Sequence, residues 1–266
     1  VKPDWESKLA AYCETYNIPL EYLSDTLNEP KVIPMIRGKA FEFSVMDALK
    51  NALNENDWKI SHPTINAQTG LQDVDVQVFH KASKKIIRVE CKLAKKEGFI
   101  KLDNNDSQIS VKCMRSRTLG TRKVRELAPK LGVSRSVLSI HNDQYLPADF
   151  DVVVISIGNA FYRTNKNSGT FFWSPTKEEV EFLNSLKGSN ENGLKDFAFN
   201  SMFVARTIDL IISKRNGVKC TRSKCKNKSN CGFVPNYPKI SFDKNATVTN
   251  NWIHISQSAK LFESFL

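Results

Sequence analysis

The stretch Gly70–Lys96, GLQDVDVQVFHKASKKIIRVECKLAKK, decides how the rest of the chain is read. It divides into two β-prone runs about a polar turn. Val74, Val76 and Val78 alternate with Asp73, Asp75 and Gln77, the period-two pattern of a half-buried strand. After His80–Lys85 a second run, Ile86–Cys91, begins. Glu90 and Lys92 are two residues apart, so both point to one face of that strand. Paired as a hairpin, the two runs carry Asp73, Asp75, Glu90 and Lys92 on a common face. Ile86, Ile87, Val89 and Leu93 flank these charges, which sets the strand inside a sheet rather than at its margin.

Two adjacent carboxylates repel each other, and a hard divalent cation relieves the repulsion. Mg²⁺ takes oxygen ligands and keeps several waters, while a neighbouring amine orients a water and offsets charge on a phosphate. An acid on one strand followed by Glu90-Cys91-Lys92 on the next resembles the PD-(D/E)xK, or restriction-endonuclease-like, nucleases over roughly 37–157. The proline that precedes the first acid in that family's pattern is absent. The resemblance implies an α/β fold with a restriction-endonuclease-like core, a mixed central β-sheet flanked by helices. It implies that Asp75 and Glu90 hold Mg²⁺, with Asp73 competing as the first acid, and that Lys92 positions the nucleophilic water. Gly38, Phe41 and Glu42 are similar to the family's preceding helix, whose glutamate joins the metal site. The implied activity is that of a type II restriction enzyme, a sequence-specific endonuclease on double-stranded DNA, acting as a homodimer. Two rivals stay open: a repair or CRISPR-associated nuclease of the same fold with an iron–sulfur cluster, and a non-catalytic helix-turn-helix DNA-binding protein.

The whole chain agrees with a polyanionic partner. It has 266 residues, 41% of them hydrophobic, and a net charge of +11. No apolar run approaches a membrane span and no signal-peptide pattern opens the chain, so a cytoplasmic protein is expected. Three segments are anticipated: an N-terminal helical segment, 1–36; a nuclease core, 37–215, with a basic insertion near 112–142; and a Cys-rich basic segment, 216–266.

Within the core, Phe41, Val45, Ala48, Leu49 and Ala52 form one stripe of a helix over Arg37–Leu53. The polar run after Lys96 reads as a surface loop, and Phe150–Ile157 as a buried strand beside the one carrying Glu90. Asp196–Ile212 reads as an apolar helix. Arg115, Arg117, Arg122, Lys123 and Arg125 form a basic segment suited to backbone phosphates. Val124–Ile140 reads as helix, glycine turn at Gly132, helix; such a unit would present Arg135 to base edges.

Cys220, Cys225 and Cys231 lie close together in KCTRSKCKNKSNC. Without a secretory signal, three such thiols suit Zn²⁺ or, second, an iron–sulfur cluster. A fourth ligand is needed; His254 is the nearest downstream candidate and Cys13 the distant one.

Overall fold

The computed structural model describes residues 4–63, 74–187 and 193–266. Helix α1 (Trp5–Thr15) opens on Asp4, whose side chain accepts the amide of Ser7. Helix α2 (Leu23–Asn28) leads to α3 (Val32–Ala52), which begins upstream of the expected Arg37. Pro34 is accommodated because it sits in the first turn of α3, where its missing N–H has no helical partner to lose.

An antiparallel meander follows: β1 (Trp58–Ser61), β2 (Val76–His80) and β3 (Ile86–Lys101). The polar run after Lys96, expected as a loop, continues β3. Between Ala94 and Phe99 the register shifts, Glu97 turns left-handed (φ 54°), and the strand bends. A Cβ on Gly98 would meet the Lys95 carbonyl oxygen at 2.5 Å, so the bend requires glycine there. Beyond it β3 pairs with β4 (Ser107–Val111).

Helices α4 (Thr121–Lys130) and α5 (Arg135–Ile140) form the expected hairpin, with Gly132 at φ +65° in the turn. Pro129 falls in the last turn of α4, where the helix is already ending. Val124, Ala128 and Leu138 face inward on Leu146 and Phe233. The chain then returns as β5 (Val152–Ser156), buried throughout and beside β3 as the apolar run predicts; the two strands run parallel.

A small hairpin, β6 (Tyr162–Thr164) and β7 (Phe171–Trp173), precedes α6 (Lys177–Lys187). Thr176 and Glu179 cap that helix reciprocally, at 3.3 and 2.7 Å. The expected long helix Asp196–Ile212 is instead α7 (Leu194–Asn200), β8 (Met202–Arg206) and α8 (Thr207–Leu210). Periodicity fails here because β8 lies between β5 and β10 and is buried on both faces, which erases any alternation. Strands β9 (Lys239–Phe242) and β10 (Ile253–His254) and helix α9 (Ala259–Glu263) complete the chain.

The strand order is β1-β2-β3-β5-β8-β10, with β4 on the second half of β3 and β9 beyond it. This mixed sheet curls, and its two faces carry separate cores. One is packed by α3 and includes Phe41, Val45, Leu49, Val89 and Val154. The other fills the curl and includes Ala94, Ile109, Val153, Ile155, Phe203 and Phe242. Truncating a side chain as enclosed as Leu49 to alanine costs about 2–5 kcal/mol.

Candidate active site and metal centre

The β2–β3 register, Val76 opposite Val89, extends to set Asp75 opposite Glu90 where the ladder ends. In place of a ladder hydrogen bond, Asp75 Oδ2 accepts the amide of Cys91 at 2.8 Å. Glu90 and Lys92 alternate with Val89, Cys91 and Leu93, which belong to the core under α3. Glu90 and Lys92 therefore lie on the opposite face of the sheet, and Asp75, just outside the ladder, is close enough for its charge to couple to both. Asp73 lies outside the described residues.

Glu90 is buried at 6% exposure and has two partners. Its Oε1 accepts the phenol of Tyr145 at 2.8 Å and forms an ion pair with Lys92 Nζ. Burial opposes the Lys92 charge, but Glu90, Tyr145 and Asp75 outweigh it and hold the ammonium well above its ordinary range. Asp75 behaves in the opposite way. Burial first, and then the charge of Glu90, push its carboxyl up to about 7, against the pull of Lys92 and the Cys91 amide.

Glu42 reaches this end of the sheet from α3, buried at 6%, and its charge adds to the rise at Asp75. Its carboxylate meets Lys39 Nζ at 2.9 Å and His62 Nε2 at 2.8 Å, and His62 stacks on Phe43. The three acids are thus neighbours through their charge, each already engaged by hydrogen-bond donors. Among the described residues these acids do not form a group of three ligand atoms close enough to hold an ion.

Tyr145 has no motif to betray it in the sequence. It sits after α5, its phenol raised above the ordinary range by burial and by Glu90. Arg115 and Lys92 both lie over its ring, at 5.0 and 5.4 Å from the centroid.

Arg115 is the exception among the expected phosphate-binding residues. Its guanidinium is turned inward, paired with Asp149 and donating to the Gln144 carbonyl oxygen at 3.0 Å. Arg117, Arg122, Lys123, Arg125 and Arg135 are exposed on or beside the α4–α5 hairpin. Glu126 pairs with Arg122 and Lys123, at 3.1 and 3.4 Å.

Cys220, Cys225 and Cys231 come together as expected, but their fourth neighbour is His141 and not His254. The ligand atoms of His141, Cys220, Cys225 and Cys231 all lie within 4.8 Å of one another, so this cluster could bind a metal such as zinc. His254 is on β10, where its ring nitrogen caps the turn at Ser256 and its edge meets Phe203. Cys13 is buried in α1 and is outside the cluster. His141 escapes sequence reading because it is remote from the cysteines and ends a short helix as its C-cap residue.

No family model matches this chain, and no curated protein and no solved structure matches it.

Proposed function

We propose that this protein is a Mg²⁺-dependent double-stranded DNA endonuclease with a restriction-endonuclease-like core. The observation that carries the reading is the electrostatic coupling of Asp75, Glu90 and Lys92 at the end of the β2–β3 ladder, where the charge of Glu42 is also felt. An acidic pair in which burial and Glu90 raise Asp75 to about 7 is a pair short of positive charge. Such a donor set, all oxygen, fits Mg²⁺ better than a softer metal. The bound ion would supply Lewis acidity and acidify a water in a phosphodiester hydrolysis.

The chain's own groups divide the remaining work. Asp75 and Glu90 hold the ion, and Glu42 adds charge from α3. Lys92, kept protonated by its neighbours, orients the attacking water and stabilises the extra negative charge that develops on the phosphate. The Tyr145 phenol fixes one oxygen of Glu90 and leaves the other to point elsewhere. The net charge of +11 and the exposed Arg122, Arg125 and Arg135 suit a duplex backbone. A type II restriction enzyme, working as a homodimer on a short symmetric site, is the specific form of this reading.

The test is supercoiled and phage DNA incubated with the purified protein, with Mg²⁺ or with EDTA. Discrete fragments that require Mg²⁺ and vanish in Lys92→Ala support the specific form. A Mg²⁺-dependent smear supports a nuclease without site specificity. Binding with no nick at any Mg²⁺ concentration removes the catalytic reading and leaves the α4–α5 hairpin as a DNA-binding unit.

A further inference from the structure

The loop 213–231 contains no helix or strand, yet it is held against the body of the molecule. Its own apolar contribution is slight: Val218 and the three cysteines packed on Ile212. Lysines 214, 219, 224, 226 and 228 point outward. An irregular segment of this length ordinarily needs a staple, because so small a cluster cannot offset the entropy of ordering it.

The cluster has the form of a finished metal site rather than of three stray thiols. All three cysteines are free, and Cys220 and Cys225 are buried. The Arg222 amide points at Cys220 Sγ from 3.4 Å, a contact that favours a thiolate. The imidazole is aimed in advance. The Gln144 amide nitrogen donates to the Val234 carbonyl at 2.9 Å, which fixes Oε1 toward His141 Nδ1 at 2.5 Å. Nδ1 therefore carries the proton, and Nε2 keeps the lone pair that a metal requires. Phe233 stacks on the ring at 4.3 Å and 14° and prevents it from turning.

We propose that His141, Cys220, Cys225 and Cys231 bind one structural Zn²⁺ that fastens the basic 213–231 loop to the end of the α4–α5 hairpin. Tetrahedral zinc with sulfur at about 2.3 Å and nitrogen near 2.0 Å brings ligand atoms to roughly 3.5–3.8 Å apart. The four atoms here need only a small contraction from their spread of 4.8 Å. Four protein ligands leave no open position, which makes the site structural and not catalytic. Uptake of Zn²⁺ releases the three thiol protons to solvent, and the surrounding lysines offset the single negative charge of the resulting centre. The staple also reaches the acidic site through Gln144, because the Gln144 carbonyl holds Arg115 and Arg115 covers Tyr145. The inference does not depend on the nuclease reading.

The full chain, expressed with zinc and purified without chelator, should contain about one zinc per chain by elemental analysis. A thiol-reactive mercurial should release that zinc. Exchange with Co²⁺ should give the visible ligand-field bands of a tetrahedral site together with thiolate charge transfer. His141→Asn should lose most of the metal, Cys13→Ser should keep it, and His141→Cys should keep it with a cobalt spectrum of higher sulfur content. The wild-type measurements need no variant to fold. Wild-type protein without zinc or a cobalt spectrum overturns the proposal. So do iron with acid-labile sulfide in place of zinc, or full metal retention in His141→Asn.

Discussion

Around Asp75 and Glu90, negative charge is met by amines, amides and a phenol that belong to the chain. Around Cys220, Cys225 and Cys231, three thiols and the His141 imidazole converge on one another. The first cluster is built from hard oxygen donors at the end of a ladder, with Lys92 still 20% exposed. The second is built from soft donors closed off by Phe233 and Ile212. Hard donors with substitute partners on hand suit an ion that comes and goes. Soft thiolate and imidazole donors that fill all four positions of a tetrahedral ion suit an ion that stays. The two clusters make separable predictions: the first sets activity and the pH dependence of stability, the second sets metal content and the anchoring of the 213–231 loop.

Its sharpest break is Lys92→Ala. We expect DNA cleavage to fall about 10³-fold or more, the range for a positioned proton-transfer or charge-stabilising group. The protein should stay folded but less stable, because the buried Glu90 loses its ammonium, and zinc content should be unchanged, as checked by circular dichroism and elemental analysis. An active Lys92→Ala protein would remove this cluster from catalysis. The converse experiment is Cys225→Ser, or prolonged chelation of the wild type. It should lower stability by about 3 kcal/mol or more and the melting temperature by roughly 10 °C, while folded protein still binds Mg²⁺. A calorimetric scan that does not move would dissolve the distinction between the clusters.

Asp75→Asn tests the charge balance of the first cluster directly. Between pH 3.8 and about 7 the folded chain holds a proton on Asp75 that the unfolded chain has released. The contribution of Asp75 to stability is therefore full below 3.8 and declines as pH rises to about 7, the reverse of the usual carboxylate. Asparagine still accepts the Cys91 amide and carries no charge. At pH 8 it should be more stable than wild type by about 2–4 kcal/mol, and the gain should disappear near pH 4. Mg²⁺ should stabilise wild type at pH 8 and leave Asp75→Asn little changed. Equal stability of the two proteins at pH 8 without Mg²⁺ would mean that Asp75 is already neutralised.

The two clusters also differ in how much of each could be read from the chain. Asp75, Glu90 and Lys92 lie on or next to two adjacent strands, so alternation and a hairpin are enough to bring them near one another. The place of β5 beside β3 was legible for a different reason, as a continuous apolar run, while its parallel direction was not. The thiol cluster was half legible: the cysteines are close in sequence, but their partner His141 arrives by tertiary packing of α5 on Phe233. Tyr145 and the inward turn of Arg115 were beyond reach, since no local pattern records which basic or aromatic residue folds back on a neighbour. The extension of β3 past Lys96 was missed because a left-handed Glu97 and a bulge break the period that reveals a strand. Strand β8 was mistaken for helix because burial on both faces leaves only hydrophobicity to read.

Tyr145→Phe should give a smaller effect than any of these. The phenol is one of two groups on Glu90 Oε1, and Lys92 remains to hold that oxygen. Losing a hydrogen bond to a charged group amounts to about tenfold in cleavage rate. The ring stays under Arg115 and Lys92, so the fold should not respond.

The smallest expected effect belongs to His254→Ala, and it bears on the second cluster alone. His254 caps the turn at Ser256, with 2.8 Å to the hydroxyl and 3.4 Å from the amide, and its ring edge meets Phe203. Removing a cap and an edge contact costs about 1 kcal/mol, with no route from β10 to the thiols. Zinc content should stay at about one per chain and the cobalt spectrum should be unaltered. Loss of metal with retained fold would make His254 the imidazole ligand after all. The His141 ring, held by Gln144 and Phe233, would then be a core contact, and the link from the metal to Tyr145 through Gln144 would be lost with it.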